Sequence, residues 1–196
     1  MITEQEIEKT LTRVNELAED VFIDDYKKVI IEQEELFKFT VQSAEQFQLD
    51  KDSENAMTEL LYNIFSIYKD KYGKDYVSVS EKTVMKVLNS RNEADAKQAE
   101  ILGIDMNDDS VNEEAEKIFS DVNDAVKTKT TDKLTGKAKD FFEYAQEQNN
   151  RFKQKDLTEY IAYYIGNDEL IKEENRAMIN MIIDNVVESL ETQMGR

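Results

Sequence analysis

A chain of 196 residues, 40% hydrophobic and 35% charged, with five glycines, no proline and no cysteine, is long enough to bury a core of its own. Its formal net charge of −18 argues against general binding to nucleic acid, which needs a cationic footprint, and disfavours anionic membrane surfaces. Without His or Cys, a Ser-His-Asp triad, a cysteine nucleophile, a disulfide framework and the usual zinc ligands are excluded too.

Proline and glycine interrupt helices and shape loops. Their scarcity predicts an all-α protein, an irregular bundle of six to eight helices. The expected organisation is one domain over 1–196, with a division into lobes at 1–90 and 105–196 as the alternative. No run approaches the length of a membrane span. The polar, acidic start Met1-Ile2-Thr3-Glu4-Gln5-Glu6 is unlike a signal peptide. With the missing cysteines, this sets a cytoplasmic expectation.

The first helix begins near Thr3, an N-cap with Glu6 three residues on, and carries Ile7, Leu11, Val14 and Val21 at spacings of three and four. A second run holds Tyr26, Ile30, Phe37, Val41, Ala44 and Phe47; Asp24-Asp25 either break the two or lie within one continuous helix. Asp52 or Ser53 caps a third helix through Met57, Leu60, Leu61, Ile64, Phe65 and Tyr68, in which 61–68 carries no charge. Gly73 is its expected left-handed end. Tyr76-Val77-Ser78-Val79-Ser80 alternates like a strand but is too short to build a sheet alone. Ser80, or Ser78 with Glu81, caps a fourth helix that Gly103 ends. A fifth helix runs from Ser110 through Ile118, Phe119, Val122 and Val126. A sixth starts near Thr131 or Asp132, carries Phe141 and Phe142, and either reaches Ile165 or breaks near Asp156. Gly166-Asn167 separates it from a last helix bearing Ile171, Met178, Met181, Ile182, Val186 and Leu190. Segment 90–136, the poorest in large apolar residues, is expected as an arm or a connection.

Charge is segmental: −10 over 1–60, +3 over 69–91, −9 over 92–124, +3 over 125–158 and −5 over 159–196. Such blocks either pair across neighbouring helices or present acidic faces to a partner. The aromatic residues lie at helical spacing and read as core, except that Tyr163-Tyr164 with Tyr160 can form an interface patch.

The densest acidic stretch holds Asp105, Asp108, Asp109, Glu113, Glu114 and Glu116. Over the twelve residues Asp105 to Glu116 it resembles the calcium loop of the EF-hand family. Asp105, Asn107, Asp109 and Glu116 stand at positions one, three, five and twelve, with the Val111 carbonyl at seven. The family's turn glycine is replaced by Ser110, and its apolar eighth residue by Asn112. The same letters also make a helix start, with Ser110 as N-cap, Glu113 completing a capping box, and carboxylates complementing the helix dipole; this is the favoured reading.

Glu16-x-x-Glu19 and Glu32-x-x-Glu35, twelve residues apart, resemble the magnesium-binding carboxylate pairs of all-α nucleotide pyrophosphatases. The second pair ends in Glu35 where that family has Asp. The resemblance implies magnesium-dependent hydrolysis by four carboxylates on two packed helices. The same spacing also arises by chance in glutamate-rich helices. The run Val77 to Asn89 is similar to the recognition helix of lactose-repressor-type helix-turn-helix proteins. It lies in a locally basic segment, but the preceding helix lacks that unit's small residue and glycine turn.

The leading expectation is a non-enzymatic protein whose acidic helices dock on a basic partner, with Asp105, Asp108, Asp109, Glu113, Glu114 and Glu116 as the contact set. The expected partner is a nucleic-acid-binding protein that the chain inhibits or regulates. In size and charge the chain looks like small acidic proteins of mobile elements, including phage inhibitors of host defence. No cofactor, metal or direct nucleic-acid contact is expected. The alternatives are the magnesium-dependent hydrolase and a structural component that self-associates. Calorimetric titration with calcium to about millimolar, the range of weak calcium modules, is expected to give only heat of dilution; saturable heat would reinstate the calcium loop.

Overall fold

The computed structural model describes residues 1–104, 113–149 and 154–195. Among these residues it contains nine α-helices, two 3-10 turns and no strand. The all-α class holds, but the count exceeds the expected six to eight: the two apolar runs over 3–47 form three helices, divided where no proline or glycine marks a break, and the run from Phe141 to Ile165 forms two. No helix among the described residues is long and apolar enough to cross a membrane.

The chain forms two compact units, residues 1–87 with 154–196, and residues 88–153. In the first unit, α1 (Glu4–Asn15) opens with the expected capping box. Glu6 N–H donates to Thr3 Oγ1 at 3.4 Å, and Thr3 N–H donates to Glu6 Oε2 at 2.9 Å. The helix ends at Glu16 rather than running on to Val21. After extended backbone at Ala18, α2 (Glu19–Glu32) carries Asp24 and Asp25 in its interior, so that pair does not break the chain.

The second break falls at Gln33 (φ −120°, ψ 41°), between α2 and α3 (Glu34–Gln46). Its physical reason is the Gln33 side chain, which is fully buried. Gln33 Nε2 donates to the Val77 carbonyl at 3.0 Å, and Val79 N–H donates to Gln33 Oε1 at 3.0 Å. The alternating segment 76–80 is extended as its pattern suggests. Its backbone pairs with a glutamine side chain in place of a neighbouring strand.

α4 (Lys51–Tyr72) is capped by Asp50 rather than by Asp52 or Ser53. Asp50 Oδ1 accepts the N–H groups of both those residues, each at 3.2 Å. From Leu60 to Tyr68 every side chain of α4 is buried, and Gly73 ends the helix at φ 53°. α1, α2 and α9 (Glu173–Gln193) pack on α4, and α8 (Lys155–Asn167) packs on both α9 and α1. α9 adds Ile179, Ile182, Ile183, Val186 and Leu190 to the core.

α5 (Glu81–Leu102) begins in the first unit and continues into the second, ending as expected at Gly103, φ 69°. The second unit also holds α6 (Glu113–Thr128) and α7 (Gly136–Asn149). The expected sixth-helix start at Thr131 or Asp132 is instead a 3-10 turn, Thr131–Lys133. The segment read as an arm or connection builds a core with α7. Leu102, Ala115, Ile118 and Val122 bury against Ala138 and Phe141, and Phe119 meets Phe141 edge-on at 5.1 Å.

Replacing Gln33 by Ala leaves the Val79 N–H without its partner. The expected loss is about 1–3 kcal/mol, the usual cost of an orphaned buried donor, read as a lower urea midpoint by circular dichroism.

Candidate functional site: an acid-rimmed groove between α1 and α8

The six acidic residues singled out in the sequence divide in two. Glu113, Glu114 and Glu116 lie exposed in the first turn of α6, and Glu114 Oε1 takes an ion pair from Lys137 Nζ at 3.0 Å. Asp105, Asp108 and Asp109 lie outside the described residues, as do Asn107, Ser110, Val111 and Asn112 of the calcium-loop reading. No group of three or more carboxylates is arranged to hold a metal among the described residues.

The carboxylates of the hydrolase alternative are not brought together. Glu16 and Glu19 straddle the break between α1 and α2, and Glu32 and Glu35 straddle the break at Gln33, so neither pair shares a helix face. Glu32 is engaged by Lys69 at 2.8 Å and Glu35 by Lys38 at 3.0 Å. The run Val77 to Asn89 does not form a helix-turn-helix. An extended segment precedes α5, and Val79, Val84 and Val87 are buried.

A different set of residues converges in the first unit. Ile2 is buried, and its N–H donates to Gln154 Oε1 at 2.7 Å. Two residues on, Glu4 N–H donates to Asp156 Oδ2 at 3.0 Å. Both pairs are separated by 152 residues, so α1 and α8 start side by side in a common register. That register continues along a groove of about 500 Å³. α1 lines it with Glu4, Ile7, Glu8 and Leu11. α8 lines it with Asp156, Glu159, Tyr160 and Tyr163. Each set steps by three, one and three residues, which places it on one face of its helix.

Ile7, Leu11 and Tyr160 make the floor, and Tyr163, 70% exposed, forms the lip. Four carboxylates rim the groove, and among the described residues no cationic side chain lines it. Asp156 is committed to the α1 N-terminus, where its charge complements the helix dipole. Glu159 meets Lys155 at 3.6 Å between two well-exposed side chains, an arrangement worth little in water. Glu4 and Glu8 make no ion pair among the described residues.

Tyr160 anchors the floor. Its hydroxyl accepts from Asn63 Nδ2 at 3.2 Å. Burial, with a smaller contribution from the Glu59 charge, pushes its phenol up to about 12. Asn63 also lines a second cleft of about 260 Å³, walled by Phe22 and Tyr26 from α2 and by Tyr62 and Glu59 on one face of α4. Tyr62 donates to Asp25 Oδ2 at 2.8 Å. Burial first, then that carboxylate, pushes its phenol up to about 12. Tyr164 turns away from the groove toward the Ala56 carbonyl, 3.5 Å from its hydroxyl.

The chain matches no protein family, no curated protein and no solved structure. The geometry of the groove therefore carries the functional argument. Sequence reasoning flagged Tyr160 and Tyr163 but missed Glu4, Glu8, Asp156 and Glu159. The signal that finds them is the shared step pattern on two helices.

Tyrosine in an unfolded chain ionises near pH 10, whereas Tyr62 and Tyr160 hold their protons to about 12. The folded state binds those protons more tightly. The stability linked to them is complete below about pH 10 and is lost as pH rises through about 12. The urea midpoint is expected to fall over that window, and Tyr62→Phe is expected to make the fall shallower. An unchanged slope in the variant would contradict the assignment.

Proposed function

We propose that the chain is a non-enzymatic binding protein that offers an acidic surface to a basic partner protein. The observation that carries this reading is the α1/α8 groove, in which four carboxylates surround an apolar floor and no cation lines it among the described residues. Apolar area supplies contact energy, and complementary charge raises the association rate and rejects wrong partners. Proteins that bind nucleic acid carry the cationic surface such a groove complements. The proposed role is therefore inhibition or regulation of a nucleic-acid-binding protein, by occupying the surface its nucleic acid needs. The size and charge shared with small acidic proteins of mobile elements support a cytoplasmic, anti-defence setting.

The reading predicts strong salt dependence. For a partner captured on the immobilised chain, raising salt from about 0.05 to about 0.5 M shortens the screening length severalfold. The association rate should then drop by at least about tenfold, as measured by surface plasmon resonance. A partner held equally well at both salts would contradict the proposal.

A further inference from the structure

We infer that the α1/α8 groove receives a basic amphipathic helix of the partner. Its apolar stripe lies on Ile7, Leu11 and Tyr160, and its Lys or Arg side chains face Glu4 and Glu8 and stack on Tyr163. This inference rests on the reading of the chain as a binder of basic proteins and adds the shape of the contact.

The groove's dimensions select a helix. Its lining runs from Glu4 to Leu11 on one side and from Asp156 to Tyr163 on the other, about 10 Å of helix on each wall. Two helices that start side by side in register leave between their outer faces a furrow that a third helix fills by the usual ridge-and-groove packing. About two turns of an incoming helix fit that length, contacting through positions i, i+3, i+4 and i+7. The volume of about 500 Å³ holds several side chains, more than a single anchoring residue needs.

The chemistry of the walls selects the sign of its charge. An acidic helix would face four carboxylates, and like-charge contact opposes binding. A neutral apolar helix would cover the floor but leave Glu4 and Glu8 desolvated without partners, at a cost. A helix with Lys or Arg beside its apolar stripe satisfies both surfaces, and an Arg guanidinium over the exposed Tyr163 ring adds a cation–π contact.

The test uses the full chain and two dye-labelled peptides of identical Leu, Lys and Arg composition. One carries Leu at i, i+3, i+4 and i+7; the other has its order shuffled so that no stripe forms. Fluorescence anisotropy at low salt is expected to show the striped peptide binding at least about tenfold more tightly. Tyr163→Ala and Glu8→Lys should each weaken it by about tenfold. Glu45→Lys, the same charge change at an exposed site on α3 outside the groove, should change it by less than about twofold. Circular dichroism checks that each variant remains helical. Equal binding of the shuffled peptide, or an equal loss from Glu45→Lys, overturns the groove while leaving the acidic-surface reading intact. Failure of both cationic peptides to bind in a salt-dependent way overturns both.

Discussion

The first unit is organised by the burial of one helix. From Leu60 to Tyr68 α4 has no exposed side chain, and a helix apolar on all sides must be enclosed. α1, α2 and α9 pack directly on it. The polar groups of α4 fix how they do so. Tyr62 bonds to Asp25 on α2, Asn63 to Tyr160 on α8, and Tyr68 to Glu191 on α9. Three nearby residues thus tie one buried helix to three others, and hydrogen bonds in a low-dielectric interior specify a register that apolar packing alone leaves loose. The position of α8, and with it the Tyr160 floor of the groove, follows from α4.

Neutral amides perform much of the remaining polar work inside. Gln33 pairs with the extended segment at Val77 and Val79. Gln154, nearly fully buried, joins the Ile2 N–H to Glu191, with bonds of 2.7 and 3.0 Å. Gln193 accepts the Ser80 N–H and the Thr83 hydroxyl. A side-chain amide carries one donor group and one acceptor, as a peptide does, so it can substitute for missing backbone partners without desolvating a charge. Among the described residues the buried polar ones are uncharged, and the carboxylates stay partly or fully exposed.

The legible parts of the sequence were those set by local physics. The Thr3–Glu6 capping box, the Gly103 stop, the uncharged run 61–68 and the extended segment 76–80 each express a rule that acts within a few residues. The breaks at Glu16–Ala18 and Gln33 were not legible. No proline or glycine marks them, and Gln33 departs from helical geometry to serve Val77 and Val79, more than forty residues away in sequence (the separations are 44 and 46). The missing breaks account for one of the helices beyond the expected count and for the apparent pairing of Glu16 with Glu19 and Glu32 with Glu35. The groove was hidden for the same reason. It depends on a register between residues 152 apart, and in a chain with 43 acidic residues four more carboxylates do not stand out.

Net charge alone does not locate a binding surface, because many of the acids already serve the fold. Glu6 is held below its ordinary range, chiefly by the Lys71 ammonium bonded to it. Asp70 takes Arg13 at 2.9 Å, Glu32 takes Lys69, and Glu34 and Glu35 share Lys38. On α6, the acidic segment most conspicuous in the sequence, Glu114 pairs with Lys137. Exposed charges without adjoining apolar area attract from a distance, yet salt screens them and they contribute little once contact is made. Binding needs attraction together with surface that loses water on contact. Among the described grooves, the one between α1 and α8 combines unpaired glutamates with an aliphatic and aromatic floor. That combination, rather than the density of acidic residues along the chain, places the proposed contact on Glu4 and Glu8.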